Sequence, residues 1–180
     1  MRHIFIVNPR SGPQDATPVI QKALSELNPA EPYEIYVTSA PGDATEYVRA
    51  RCQADASPLR FYACGGDGTL NEVINGAAGY DNAAVGCYPC GSGNDFVKAF
   101  GGAELFLDIA KLITAPTRKL DLLKVGDRYS NNVVNFGFDT TVAITINKER
   151  DKTGHGGKNA YTKGVVTALI KSMNNRCTVI

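Results

Sequence analysis

The chain has 180 residues, of which 43% are hydrophobic and 21% are charged. This length and composition predict one globular domain and leave no room for a second complete one. The formal net charge of +1 gives no overall field that would attract nucleic acid, so we expect no nucleic-acid partner. The apolar run at residues 4–7 is too short for a signal peptide, and no stretch approaches the ~20 apolar residues of a membrane span. We therefore expect a cytoplasmic protein.

Strand-like and helix-like segments alternate along the first hundred residues. Apolar and β-branched runs predict strands at residues 2–7, 33–38, 59–64 and 83–88. Apolar residues at helical spacing predict helices at residues 15–27, 41–56 and 69–77, and a shorter helix ends at residue 100. This alternation predicts an α/β fold with a doubly wound, mainly parallel sheet and helices on both faces.

The third predicted strand passes into a helix through the turn GGDGT at residues 65–69. Thr69 followed by Glu72 predicts a capping box, which would start the helix at Thr69. The free amides and the dipole at that helix end predict an anion site, most naturally for phosphate. Asp67 has the wrong charge to hold phosphate directly and suggests a magnesium bridge, a water network or a ribose hydroxyl. The alternative is a tight turn that needs glycine for its geometry alone.

Two other turns also follow predicted strands. NPRSG at residues 8–12 offers Asn8, Ser11 and a run of amides to an anion, although a plain Asn-Pro turn is the alternative. GSGNDF at residues 91–96 offers Ser92 as a phosphate contact, with Asn94 and Asp95 as helix caps. Because ligands of parallel sheets bind outside the carboxyl ends of the strands, we expect these turns to lie together.

The five cysteines, an odd number, predict free thiols in a reducing compartment. Cys87 and Cys90 form a CxxC pair after a strand, so a thioredoxin-like role is an alternative. A zinc site would need two more ligands, and the sequence has no second CxxC and no histidine nearby.

The second part of the chain has a different texture. Residues 103–114 predict one helix, and residues 120–125 and 129–136 predict a hairpin with Gly126 and Asp127 as its turn. We place a nucleotide-binding domain at residues 1–119 and part of a β-rich domain at residues 120–180. Residues 140–150 are compatible with helix or strand. Residues 148–159 predict a mobile basic loop, which is solvated or faces an anionic membrane, and residues 161–172 and 176–180 predict a helix and a strand.

GGDGTLNEVING at residues 65–76 resembles the signature of the diacylglycerol kinase catalytic domain family, which includes bacterial lipid kinases and sphingosine kinases. NPRSG at residues 8–12 and PCGSGNDF at residues 89–96 resemble the first-strand turn and the second glycine loop of that family, in the same order. The match extends to about Asp139. NAD kinases share the middle motif but not, as a rule, GSGNDF.

The resemblance implies an ATP-dependent lipid kinase that transfers the γ-phosphoryl group to a lipid hydroxyl, with diacylglycerol as the first candidate. ATP and Mg²⁺ would be its cofactors. The protein would associate peripherally with the inner membrane surface and bind the lipid acceptor there. The implied nucleotide contacts are Asn8, Pro9, Arg10, Ser11, Gly12, Thr38, Gly65, Gly66, Asp67, Gly68, Thr69, Leu70, Asn71, Glu72 and Ser92. The resemblance gives catalytic roles to Asp67 and Asp95, which with Asp121 would form an acidic network around magnesium. The alternatives are a nucleotide-binding fragment without catalysis and an NAD kinase-like phosphotransferase.

The resemblance also implies that the β-rich domain at residues 120–180 is part of the acceptor-binding half. A later segment would complete it and carry the general base and further magnesium ligands. We therefore expect a truncated chain that is inactive alone. Strands left without neighbours after Asp121 would expose their edges, which favours a homodimer through this region.

Overall fold

The computed structural model of the chain describes residues 1–135, 137–153, 162, 165–167, 169 and 170. The chain divides into two compact units, Met1–Asn132 and Val133–Ile180. The domain boundary that we placed after residue 119 stays a prediction.

Strands and helices alternate through residues 1–89. The strands are β1 (Arg2–Val7), β2 (Tyr33–Val37), β3 (Leu59–Gly65) and β4 (Ala83–Pro89). The helices between them are α1 (Thr17–Leu27), α2 (Asp43–Ala54) and α3 (Asp67–Ala77). Each element begins and ends within two residues of its predicted position, so the predicted alternation is confirmed.

The four strands form a parallel sheet in the order β2-β1-β3-β4. Val7 at the end of β1 lies opposite Val37 of β2 on one side and Cys64 of β3 on the other. The chain moves from β1 outward to β2 and then returns to the other side of β1, so the winding reverses between β1 and β3. The carboxyl ends of these two strands form the switch point at which open α/β sheets bind ligands.

Two apolar cores cover the two faces of the sheet, because successive side chains of a strand point to opposite faces. One core, formed with α2 and α3, includes Ile4, Ile6, Val48, Phe61 and Val73. The other, formed with α1, includes Phe5, Val7, Ile20, Leu24 and Tyr62. Each fully buried side chain of this kind contributes about 1.5–3 kcal/mol. The predicted helices on both faces are confirmed.

The segment after β4 differs from its prediction. It contains α4 (Asp95–Lys98), a short 3-10 helix (Ala103–Phe106) and α5 (Ile109–Thr114). The single helix predicted for residues 103–114 is wrong because Asp108 interrupts it. The Asp108 side chain accepts a hydrogen bond from the Lys111 amide at 3.1 Å and thereby caps α5, a role that aspartate takes more readily than a helix interior.

An antiparallel hairpin follows, made of β5 (Leu123–Val125) and β6 (Arg128–Ser130). Val125 lies opposite Arg128, so Gly126 and Asp127 form the predicted two-residue turn. Gly126 has a φ of +57°, the left-handed backbone that such turns require. Both strands are shorter than predicted.

In the second unit, α6 spans Phe138–Thr153, which makes the undecided residues 140–150 helical. The loop predicted from residue 148 therefore does not begin there. The remainder of that loop with His155, and the strand predicted at residues 176–180, lie outside the described residues. Of the helix predicted at residues 161–172, the described residues 162, 165–167, 169 and 170 are helical. In the part of the chain that the structure describes, no helix is both long and apolar enough to cross a membrane.

Candidate functional site

The turns after the four parallel strands are joined by hydrogen bonds at the carboxyl edge of the sheet. The Asn8 side-chain amide donates to the Thr69 hydroxyl at 3.1 Å, and the Asn8 backbone amide donates to the Cys64 carbonyl at 3.0 Å. The Thr38 amide donates to the Val7 carbonyl at 2.9 Å, and the Cys90 amide donates to the Gly65 carbonyl at 3.0 Å. The turns therefore meet at the switch point, as the sequence predicts.

Three of these turns pack backbone against backbone. A Cβ on Gly91 would lie 2.4 Å from the Cα of Gly66. A Cβ on Gly12 would lie 2.0 Å from the carbonyl oxygen of Cys90, and the φ of Gly12 is +83°. Larger residues do not fit at such separations, so glycine is what allows these loops to approach one another.

Asp67 lies at the start of α3 and caps a different helix. Its Oδ1 accepts hydrogen bonds from the amides of Asp95 at 2.8 Å and Phe96 at 3.4 Å. These are the first amides of α4, which lack acceptors within their own helix. Asp67 therefore joins the GGDG turn to the second glycine loop.

The predicted capping box is wrong. Helix α3 begins at Asp67, and its N-cap residue is Gly66, which has no side chain that could cap the helix. Thr69 is 5% exposed, and its hydroxyl accepts from Asn8 instead of capping the helix. The first amides of α3 still lack intrahelical acceptors, so the predicted anion site does not depend on the capping box.

The predicted caps of α4 are also wrong. The N-cap residue, Asn94, has a φ of 50° and makes no side-chain cap bond. Its Nδ2 donates to the Gly91 carbonyl at 2.7 Å, which closes the glycine loop. Asp95 forms an ion pair with Lys98 at 2.5 Å. The hydrogen bond and the charge of Asp95, with a smaller contribution from Asp67, raise the pKa of Lys98. The positive charge of Lys98 therefore lies beside the two carboxylates.

The acidic residues do not form a direct metal site. Asp67 and Asp95 are neighbours because the Asp95 amide donates to Asp67 Oδ1. The Asp121 side chain is exposed. Among the described residues, no group of three His, Cys, Asp or Glu side chains could hold a metal ion. Indirect magnesium binding by Asp67, Asp95 and Asp121 stays a prediction.

A small open cleft with room for a water-sized group lies at the GGDG turn and is lined by Gly66, Asp67, Asn94 and Phe96 among others. Asn94 Oδ1 is buried there without a hydrogen-bond partner. Buried acceptors are nearly always satisfied, so this atom is an exception in the packing of the glycine loop.

The comparisons with known proteins agree with these motifs. The sequence model of the diacylglycerol kinase catalytic domain matches residues 2–125. The chain belongs to this family. Among curated proteins, none matches.

The solved structures that resemble the chain include diacylglycerol kinases. A crystal structure of a diacylglycerol kinase from Bacillus anthracis str. Sterne has 29% sequence identity and a TM-score of 0.58, and the match covers 71% of this chain and 45% of that one. Two more structures of a protein assigned as a diacylglycerol kinase in that organism have the same identity and TM-score, with 47% and 46% of their chains covered. The chain thus spans less than half the length of these relatives.

The structure places the remaining expected nucleotide contacts of the family differently. Arg10, Gly12, Gly68 and Ser92 are exposed on the turns, and Pro9, Ser11 and Glu72 are half-buried. Leu70 is buried and lines the cleft. Asn71 does not face the glycine turn, because its Nδ2 donates to the Tyr129 carbonyl at 2.9 Å. The nucleotide-binding roles of all these residues stay predictions.

The thiols at the site are poorly suited to redox chemistry. Burial raises the pKa of Cys87 to about 12 and also raises the pKa of Cys64 and of Cys90. Reactive CxxC motifs need a lowered thiol pKa, so this geometry disfavours the thioredoxin-like alternative.

Sequence reasoning missed Asn75 and Lys98. Asn75 stands four residues after Asn71 in α3, and its side chain binds the hairpin. A signal was present, because two asparagines one turn apart are unusual in a helix interior, where asparagine is a weak helix former. The sequence gives no such signal for Lys98, because its pairing with Asp95 near Asp67 depends on loops that meet only in the folded chain.

Proposed function

We propose that this chain is the nucleotide-binding part of an ATP-dependent lipid kinase that transfers the γ-phosphoryl group to a lipid hydroxyl, with diacylglycerol as the first candidate. The observation that carries the proposal is the convergence of three glycine turns at the switch point of the sheet, where the first turn of α3 opens onto them. The family of the chain supports the same activity.

Backbone amides would hold the phosphates. The amides that begin α3 have no intrahelical acceptor and carry the positive end of the helix dipole. In the turn at residues 8–12, the amides of Asn8, Arg10 and Ser11 already donate to other groups of the protein, and proline has no amide hydrogen. The Gly12 amide would be the contribution of this turn. The cleft has room only for a water-sized group, far less than the ~300–1,000 Å³ of typical ligand pockets. ATP would therefore lie across the open turns.

The residues present fit magnesium that arrives with ATP better than magnesium held by the protein alone. Mg²⁺ keeps several waters and takes phosphate oxygens, and one or two carboxylates are enough. Asp67 and Asp95 would bind its waters, and we propose Asp121 as a third, more distant member. The bound ion would neutralise charge on the transferring phosphoryl group, and the turns would orient that group.

Titration with MgATP tests the proposal, with Gly12→Ala as the disruptive variant and Gly79→Ala as its control. Both glycines have positive φ, +83° and +88°, but only at Gly12 would the new Cβ meet another atom. At ~100 times its Kd, ATP adds about 2.7 kcal/mol to the stability of the chain, which raises Tm by about 5–10 °C. The shift should persist in Gly79→Ala and shrink strongly in Gly12→Ala. A wild-type Tm that MgATP leaves unchanged refutes nucleotide binding.

Transfer is measured with γ-labelled ATP and two acceptors, diacylglycerol in phosphatidylcholine vesicles and NAD. Label in the lipid supports the proposal, whereas label in NADP favours the NAD kinase-like alternative. Binding without transfer limits this chain to nucleotide binding. We also propose that the acceptor is met at a membrane surface and that the region after Asp121 pairs with a second copy. Vesicle flotation and sedimentation of the chain test these two points.

A further inference from the structure

The Thr69 side chain lies inside the protein, between the end of β3 and the turn at residues 8–12, which we call the NPRSG turn. Only 5% of Thr69 is exposed, and a Cβ on Gly65 would lie 2.3 Å from its hydroxyl oxygen. That oxygen accepts a hydrogen bond from Asn8 Nδ2 at 3.1 Å, across 61 residues of sequence. The hydroxyl is therefore directed at a protein partner and is too buried to meet a nucleotide.

Asn8 shapes the NPRSG turn with its side chain and its backbone. Its Oδ1 accepts from the Arg10 amide at 3.0 Å, and its carbonyl accepts from the Ser11 amide at 3.1 Å. Its own amide donates to the Cys64 carbonyl at 3.0 Å. An asparagine side chain that bonds the backbone two residues later forms an Asx turn, and here the other end of the same carboxamide reaches α3. The Asn8 side chain therefore links the NPRSG turn to Thr69.

This link joins the two elements that would supply amides to the phosphates. One is the first turn of α3, and the other is the NPRSG turn, whose contribution is the Gly12 amide. The two lie side by side, since a Cβ on Gly66 would lie 3.5 Å from Ser11 Oγ. Gly12 also packs against the second glycine loop, where its Cβ would lie 2.0 Å from the Cys90 carbonyl oxygen. Because Asn8 shapes the turn, its bond to Thr69 fixes where the Gly12 amide lies relative to the amides of α3.

We propose that Thr69 is a positioning residue for nucleotide binding. Its hydroxyl acts through Asn8 and holds the NPRSG turn where the Gly12 amide and the first amides of α3 reach the same phosphate chain. The hydroxyl itself does not touch the nucleotide. This inference rests on the proposed nucleotide binding but not on phosphoryl transfer, so the chain of 180 residues is sufficient to test it.

Thr69→Val removes the acceptor with little change in shape and leaves Asn8 Nδ2 without this partner, whereas Thr69→Ser keeps the hydroxyl. Thr45→Val is the matched control, because the Thr45 hydroxyl also makes one partly buried hydrogen bond to α3, to the Glu72 carbonyl at 2.9 Å. Thr45 belongs to α2 and lies outside the glycine turns. A general loosening of α3 therefore affects both valine variants, whereas displacement of the NPRSG turn affects Thr69→Val alone.

Calorimetric titration with MgATP, well below the Tm of each variant, and ¹H–¹⁵N spectra of the ligand-free chain provide the readouts. A turn that is in place in only about a tenth of the molecules raises the apparent Kd about tenfold, and we expect at least this rise in Thr69→Val. The Kd should stay within about threefold of wild type in Thr69→Ser and within about twofold in Thr45→Val, since the turn stays in place in both. The amide signal of Gly12 should move in Thr69→Val and keep its wild-type position in Thr45→Val.

Four results would overturn the inference. Wild-type affinity in Thr69→Val removes the positioning role. An unchanged Gly12 signal in that variant shows that the hydroxyl does not act through the NPRSG turn. An equal loss of affinity in Thr45→Val assigns the effect to α3 in general, and a loss that Thr69→Ser does not restore assigns it to packing of the side chain. Failure of the proposed function is distinguishable, because MgATP then fails to bind the wild type, and a role of Thr69 in binding is refuted with it.

Discussion

Gly91→Ala perturbs the closest contact between the two glycine loops. The new Cβ would lie 2.4 Å from Gly66 Cα, 3.0 Å from Gly66 N and 3.1 Å from Asn94 Oδ1. Gly91 has no positive φ, so alanine meets no backbone strain there and the effect is purely steric. The atoms it meets belong mainly to backbone, which cannot rotate away as a side chain can.

The size of the effect follows from that distance. Ordinary contacts begin at 3.4 Å, so the loops must separate by about 1 Å, and such overpacking costs about 1–3 kcal/mol. For a chain of this size, Tm should fall by about 3–10 °C. A displacement of 1 Å can cost ~100-fold in the rate of a catalysed reaction. Because the same loops form the candidate nucleotide site, we also expect the affinity for MgATP to fall, by at least about tenfold.

Gly68→Ala in the same motif is the control. A Cβ on Gly68 would have no atom within 4 Å, and alanine is favoured over glycine in a helix interior by about 0.5–1 kcal/mol. Differential scanning fluorimetry without ligand should show Gly68→Ala slightly above the wild-type Tm and Gly91→Ala well below it. Equal Tm values for the two variants would refute the close packing of the loops.

Two further predictions concern stability away from the turns. Arg60 is 9% exposed, and its Nη1 donates to the carbonyls of Leu112 and Ala115, at 3.4 and 2.9 Å, at the end of α5. Arg60→Met should lower the free energy of unfolding by about 2–3 kcal/mol at an unchanged MgATP affinity, by urea denaturation and calorimetry. Hydrogen bonds from Tyr36 and then from Ser39 lower the pKa of Asp43. Its stabilisation is therefore complete above the unfolded aspartate pKa, about 3.9, and is lost as pH falls below it. The stability gap between wild type and Asp43→Asn should be constant from about pH 7 to about pH 5 and should narrow as pH falls below about 4, and a gap that stays constant there would contradict this assignment.

The central strands β1 and β3 could be predicted from sequence because they are buried on both faces. All seven residues of β3 are buried, and a strand with no solvent face reads as an uninterrupted apolar run. The turns were predictable as a group for a similar reason, since the carboxyl ends of parallel strands share one edge. Local chemistry decides both features, so local patterns reveal them.

The predictions that failed depend on partners distant in sequence. Thr69 and Glu72 satisfy the local pattern of a capping box, but Asn8, 61 residues away, binds the Thr69 hydroxyl. Asp95 looks like a helix cap, yet the cap is supplied by Asp67, 28 residues earlier. No local pattern contains these pairings, because they exist only once the loops have met.

The three glycines of the GGDG turn differ in what the fold requires of them. A Cβ on Gly65 would lie 2.3 Å from the Thr69 hydroxyl, and one on Gly66 would lie 3.3 Å from Gly91 Cα. Packing within the protein therefore explains why glycine stands at both positions. Gly68 has open space around its Cα and a backbone that alanine can adopt. Glycine there weakens the helix by about 0.5–1 kcal/mol without any packing requirement. A plain strand-to-helix turn would not need it, whereas a ligand that approaches the first turn of α3 to within contact of the backbone would.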